Sequence, residues 1–140
     1  MNEDDLKGYL GNPLLKRANQ SIEWTPELVE EYVKCSQDVV YFTENYMQII
    51  NVDEGLVPFK MYDYQKEMVK SFANNRNTIV TTARQAGKST TTCAFILWYI
   101  LFNKEVKVAL LANKGDTARE ILGRIQLAYQ HLPKIGRAHV

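Results

Sequence analysis

The stretch from Thr78 to Phe102 constrains this chain more than any other. Thr78-Ile79-Val80-Thr81 is β-branched and reads as a strand. Ser89 to Phe102 is long, apolar and free of Gly and Pro, so it reads as a buried helix. Between them lies Thr82-Ala83-Arg84-Gln85-Ala86-Gly87-Lys88-Ser89. A strand, a short loop and a helix in this order aim the free N–H groups and partial positive charge of the helix N-terminus at whatever the loop surrounds. The loop ends in Gly-Lys-Ser and reads as a phosphate-binding loop of the Walker A type, with Thr82 where the first glycine usually stands. Gly87 allows close backbone approach to a phosphate. Lys88 supplies a flexible ammonium for β- and γ-phosphates, and Ser89 a hydroxyl for magnesium. The competing reading is an ordinary strand-to-helix turn with a surface lysine.

At 140 residues the chain is one domain at most, with an N-terminal extension. A hydrophobic share of 46% with 24% charged residues supports a core and excludes wholesale disorder. The formal net charge of +1 gives no global footprint for nucleic acid, so any such contact is local. Cys35 and Cys93 lack metal-ligand spacing and read as core thiols in a reducing compartment. The acidic start Asn2-Glu3-Asp4-Asp5 is unlike a secretory signal. The apolar run Ala94 to Phe102 is shorter than the roughly 20 residues a membrane span needs.

Residues 1–22 read as a partly disordered arm, punctuated by Gly8, Gly11, Asn12 and Pro13. Lys16-Arg17 within it reads as a solvated pair. Thr25-Pro26-Glu27 starts a helix: Thr25 caps, Pro26 fits the first turn, and the acids suit the N-terminal half. Leu28, Tyr32 and Cys35 share one face of it. A second helix begins at about Ser36 or Asp38, with Val39, Phe42, Tyr46, Val40, Thr43 and Met47 as a broad apolar surface. Residues 51–55 read as a turn and Leu56 to Met61 as extended. A helix is expected from Tyr62 to Ala73, with Met68, Val69 and Phe72 inward.

Val106 to Ala112 reads as a second strand, and Thr117 to about Leu132 as a helix stopped by Pro133, with Ile121, Leu122, Ile125, Ala128 and Tyr129 inward. Strand, helix, strand implies a parallel pair with a right-handed crossover. The fold class read from the sequence is therefore α/β: an incomplete P-loop NTPase, a parallel βαβ core with its phosphate loop, preceded by two or three helices. Two strands are too few for a finished domain, so residues 23–134 read as the N-terminal part of an ATPase domain. Residues 135–140 resemble one reading frame of a widely used sequencing adapter and read as a non-native tail, which leaves His139 without a role. His131, late in a helix, complements the helix dipole.

Beyond Lys88 and Ser89, Arg84 can turn toward a γ-phosphate and stabilise charge in phosphoryl transfer. The alternative is a surface arginine paired with a carboxylate. Tyr64-Gln65 lies just upstream of the first strand. There an amide can read an adenine edge, and Phe59, Tyr62 and Tyr64 are candidates to stack on the base. A solvent-facing glutamine on an amphipathic helix competes with that role. Asn113-Lys114-Gly115 sits where α/β proteins place functional loops, though a plain turn is the stronger reading.

These residues bring a family into view. Leu15-Lys16-Arg17-Ala18-Asn19, Trp24-Thr25, Val40-Tyr41-Phe42 with Glu44-Asn45-Tyr46, Asp63-Tyr64-Gln65, Arg84-Gln85-Ala86-Gly87-Lys88-Ser89 and Leu110-Leu111-Ala112-Asn113-Lys114-Gly115 occur in an order that resembles the large terminase subunit of T4-like tailed bacteriophages. The resemblance implies a packaging ATPase that uses ATP and Mg2+, followed by a metal-dependent nuclease. It implies double-stranded DNA, the portal protein and the small terminase subunit as partners. It also implies a ring oligomer on the portal, no membrane, and a place in the host cytoplasm, docked transiently on the procapsid. By position, the nucleotide-binding set is Tyr64, Gln65, Ala83, Arg84, Gln85, Ala86, Gly87, Lys88, Ser89 and Thr90, with Lys88 and Arg84 catalytic, Ser89 on magnesium and Gln65 reading adenine. The family's loop is itself irregular at its first glycine. Its acidic second motif, coupling motif and nuclease would lie beyond Pro133, so the chain alone is expected to be inactive as an ATPase. Two rival readings are a superfamily-2-type helicase or restriction-type DNA translocase, and a non-catalytic nucleotide- or partner-binding module.

Overall fold

Asp38 does two jobs in the computed structural model, which describes residues 23–51 and 53–133. Its backbone N–H closes helix α1 (Pro26–Gln37) on the Lys34 carbonyl at 3.1 Å, and its carboxylate opens helix α2 (Val39–Tyr46) by accepting from the N–H groups of Val40 and Tyr41. One short acidic residue thus satisfies orphan groups at two helix ends. At the other end of α1, Thr25 accepts from Leu28 N–H at 3.3 Å and Pro26 fills the first turn. The arm at 1–22, with Lys16-Arg17, and the tail at 135–140 lie outside the described residues.

After α2 come β1 (Gln48–Asn51) and β2 (Gly55–Pro58), an antiparallel hairpin with Gln48 opposite Pro58 and Asn51 opposite Gly55. Helix α3 (Asp63–Asn74) leads toward the 82–89 loop. Helix α4 (Lys88–Phe102) follows that loop, and α5 (Gly115–Gln130) completes the order. Contacts with α2, α3 and α5 surround α4. Cys93, Ala94, Leu97 and Leu101 are buried along it, while Tyr99 and Ile100 face outward. Phe42 of α2 meets Phe102 edge-on at 5.3 Å, Phe72 of α3 meets Phe95 at 5.3 Å, and the Trp98 indole donates to the Cys35 carbonyl at 2.7 Å. None of the described helices is long and apolar enough to cross a membrane.

The parallel βαβ core expected from the sequence is not present: the sheet among the described residues is the two-stranded antiparallel hairpin. Residues 78–81 and 106–112 form no strand ladder. The period-two pattern survives at the first, where Thr78, Val80 and Thr82 are half-buried and Ile79, Thr81 and Ala83 are exposed. A strand, however, is defined by hydrogen bonds to neighbours, and neither segment has a neighbouring strand among the described residues. Ile79 and Leu111 are left 95% and 89% exposed. Two further expectations change. Leu122 points outward on α5, where Ile125 and Ala128 are buried, and Gln48–Asn51 is a strand that no turn residue announces.

The helical pair α1–α2 is joined by a carboxylate. Glu31 accepts from the Tyr41 hydroxyl at 2.7 Å and the Tyr46 hydroxyl at 2.5 Å on the same oxygen. These bonds hold the Glu31 carboxyl below its usual range. The Tyr41 phenol is raised chiefly by its bond to Glu31; the Tyr46 phenol is raised by burial first and by that bond second. A lowered carboxyl stabilises the fold above its unfolded pKa, and that contribution is lost as pH falls through the lowered value. A raised phenol stabilises below its unfolded pKa and loses that contribution as pH rises. The urea midpoint is therefore expected to fall below pH ~4 and above pH ~10. Glu31→Gln should flatten the acid limb clearly and the alkaline limb in part, because burial also pushes the Cys35 thiol up to about 12. An unchanged acid limb in that variant would show the bridge to be idle.

Candidate functional site

The 82–89 loop draws its shape from two left-handed residues, Gln85 (φ 63°) and Gly87 (φ 72°). Gly87 is the N-cap of α4 and carries no capping side chain. The first helical hydrogen bond runs from Thr91 N–H to the Gly87 carbonyl at 2.9 Å, so the N–H groups of Lys88, Ser89 and Thr90 precede the ladder. A left-handed residue followed by a helical one turns successive N–H groups to the same side, a concavity suited to an anion. The Thr91 and Thr92 hydroxyls bond back to the carbonyls of Gly87 and Lys88 and stiffen the first turn.

Lys88 folds over this loop. Its ammonium donates to the Thr82 carbonyl at 3.0 Å and to the Ala83 carbonyl at 2.8 Å. A cation held by loop carbonyls at a helix N-terminus places two sources of positive potential side by side. Within this loop the Thr82 hydroxyl oxygen is buried with no hydrogen-bond partner among the described residues. Arg84 and Ser89 are exposed. No carboxylate among the described residues pairs with Arg84.

On the other side of the loop is the N-terminus of α3. Glu44 of α2 fixes the approach to it: the carboxylate accepts from Met61 N–H at 3.2 Å and pairs with Lys66 at 3.1 Å. Gln65 is 4% exposed. Its amide oxygen accepts from Tyr62 N–H at 3.0 Å and its nitrogen donates to the Ala86 carbonyl at 3.4 Å. The solvent-facing alternative for Gln65 is thereby removed, and both ends of its amide meet protein groups. Tyr62 and Tyr64 stack on each other, centroids 5.8 Å apart and 9° from parallel, and both are substantially exposed. Phe59 is buried and joins the core, so it does not offer a face to a base.

A cleft of about 310 Å3 opens between the hairpin, α3 and the loop, lined among others by Val57, Tyr64, Gln65, Gln85, Gly87 and Thr90. The structure thus brings most of the sequence-derived residues to one place. Tyr64, Gln65, Gln85, Ala86, Gly87 and Thr90 meet at the cleft, while Ala83, Arg84, Lys88 and Ser89 belong to the same loop and helix start without lining it. Asn113-Lys114-Gly115 is exposed and serves as the start of α5, with Lys114 at the N-cap. The Tyr64 hydroxyl, which donates to the Ala86 carbonyl at 2.7 Å, is the contact that sequence reasoning missed. Ring stacking is the visible role for a tyrosine; a bond across 22 positions has no local signal.

Residues 79–137 match the family described as terminase large subunit, T4likevirus-type, N-terminal. This stretch belongs to the large terminase subunit family. The match takes in the loop, α4 and α5, and begins beyond Tyr64 and Gln65. The family match therefore falls on the segment that carries Lys88, while the cleft is completed by α3 and the hairpin upstream of it.

Proposed function

We propose that the chain is the ATP-binding part of a terminase large subunit, a motor that hydrolyses ATP to move double-stranded DNA into a procapsid. The observation that carries this reading is the Lys88 ammonium lying over the Thr82 and Ala83 carbonyls at the N-terminus of α4, inside the family-matched segment. A triphosphate would exchange those neutral carbonyl acceptors for charged oxygens, a stronger bond for the same ammonium. Gly87 and the N–H groups of Lys88, Ser89 and Thr90 would close around it, and the cleft beside Tyr64 has room for a base.

Bound ATP supplies the phosphoryl group, and magnesium spreads charge over its phosphates. The fit to the phosphates is good. The fit to the metal is thinner: Ser89 offers its hydroxyl, and no group of three His, Cys, Asp or Glu side chains among the described residues is placed to hold an ion. Magnesium is therefore expected to arrive with the nucleotide. The carboxylates that would align water are assigned to the longer parent protein, as are the nuclease, the portal and small-subunit contacts, and assembly into a ring. The work would take place in the host cytoplasm, on a procapsid.

Arg84 tests the catalytic half of the proposal. In the full-length parent, Arg84→Ala is expected to lower ATP turnover by roughly 100-fold or more while shifting ATP affinity only about threefold, because an arginine at developing charge acts in the transition state. Steady-state hydrolysis and equilibrium binding measured together separate the two. A pure loss of affinity would assign Arg84 to ground-state binding instead.

A further inference from the structure

We infer that Tyr64 is a positioning residue for the 82–89 loop, acting through the Ala86 carbonyl, and so does more than border the cleft. Two consecutive residues at the start of α3 converge on that one oxygen: the Tyr64 hydroxyl at 2.7 Å and the Gln65 amide nitrogen at 3.4 Å. Gln65 is itself braced, since its other amide atom accepts from Tyr62 N–H at 3.0 Å. The grip falls on the peptide unit between Ala86 and Gly87. In a trans peptide the carbonyl and the following N–H point opposite ways in one plane. Holding the Ala86 oxygen toward α3 therefore aims the Gly87 N–H away from α3 and fixes the hinge on which α4 begins. Gly87 completes the arrangement. A Cβ there would lie 2.6 Å from the Gln65 amide nitrogen, so the glutamine occupies the space the glycine leaves.

The consequence is a link between two parts of the cleft. The Tyr64 ring stacks on Tyr62 at the cleft mouth, and the same side chain's hydroxyl sets the loop. Displacing the ring would remove the shorter of the two bonds to the carbonyl and leave it to Gln65 alone. This inference rests on the nucleotide reading for its ligand, but the clamp itself is a property of the chain.

Tyr64→Phe keeps the ring and deletes the hydroxyl. Binding of inorganic tripolyphosphate and of ATP to this chain and to the variant separates the roles. If Tyr64 positions the loop, both ligands should weaken together by about fivefold, the scale of one lost hydrogen bond. In the ligand-free chain, amide exchange at Ala86, Gly87 and Lys88 should accelerate while α1 and α2 are unchanged. Loss of ATP affinity with tripolyphosphate binding intact would overturn the inference, because the hydroxyl would then serve the base. Unchanged binding and unchanged exchange would overturn it too. Should the unmodified chain bind neither ligand, the ATP reading fails, and the exchange comparison still decides the clamp.

Discussion

Lys88→Ala is expected to weaken ATP binding by about two orders of magnitude, the scale of a lost hydrogen bond to a charged partner. The variant removes the ammonium that lies within 3.0 Å of the Thr82 and Ala83 carbonyls, so two effects combine. The ligand loses its positive partner, and the loop loses the tie that draws its first residues over its last. Calorimetric titration of the chain with ATP measures the sum. Lys104→Ala, in the exposed turn after α4, removes the same charge far from the loop and should leave affinity unchanged. Equal losses in both variants would mean that general charge, and not the loop, attracts the nucleotide. In the full-length parent, near-normal ATP turnover with Lys88→Ala would sink the loop assignment outright.

Gly87→Ala is expected to cost roughly 1–3 kcal/mol of stability and to abolish measurable nucleotide binding. Its φ of 72° lies where a Cβ is strained whatever space surrounds it, and here the space is also taken. The Gln65 nitrogen 2.6 Å away belongs to a flexible side chain, yet that side chain is buried and bonded at both amide atoms. Moving it breaks the contact that steadies Ala86. Gly123, in the middle of α5, is the control, because a Cβ there would meet nothing within 4 Å. Gly123→Ala should stabilise the chain by roughly 0.5–1 kcal/mol through helix propensity. Urea unfolding of the two variants should give shifts of opposite sign. A stabilising shift, or none, for Gly87→Ala would mean that the backbone at Gly87 relaxes freely.

Why the sequence is readable at some places and not at others follows from where each signal is stored. Helix ends are local: Thr25-Pro26, Asp38 and Gly87 carry their capping chemistry with them, and the helices begin at or within two residues of the expected positions. Burial along α2 is local as well, since Val39, Phe42 and Thr43 follow helical spacing. Strands are not local. Thr78 to Thr81 has the composition and the period of a strand, but its hydrogen bonds depend on neighbours elsewhere, and it pairs with no strand among the described residues. Gln48–Asn51, with two isoleucines and no turn signal before it, becomes a strand because Gly55–Pro58 folds back on it.

The site shows the same division. Gly87 and Lys88 are legible as the turn into α4, because the glycine and the apolar run after it are local signals. Tyr64 and Gln65 are legible as cleft residues, but not as the pair that holds Ala86, because that contact is made only when α3 and the loop meet. Phe59 reads as a stacking partner by residue type alone, and its burial places it in the core.

The central claim is that the backbone from Ala86 to Thr90 receives a triphosphate. Amide NMR shifts of the chain on titration with ATP and magnesium address it directly. The largest shifts are expected at the N–H groups of Gly87, Lys88, Ser89 and Thr90, saturating together and reproduced by tripolyphosphate without a base. Saturable shifts centred elsewhere, with these four amides silent, would contradict it.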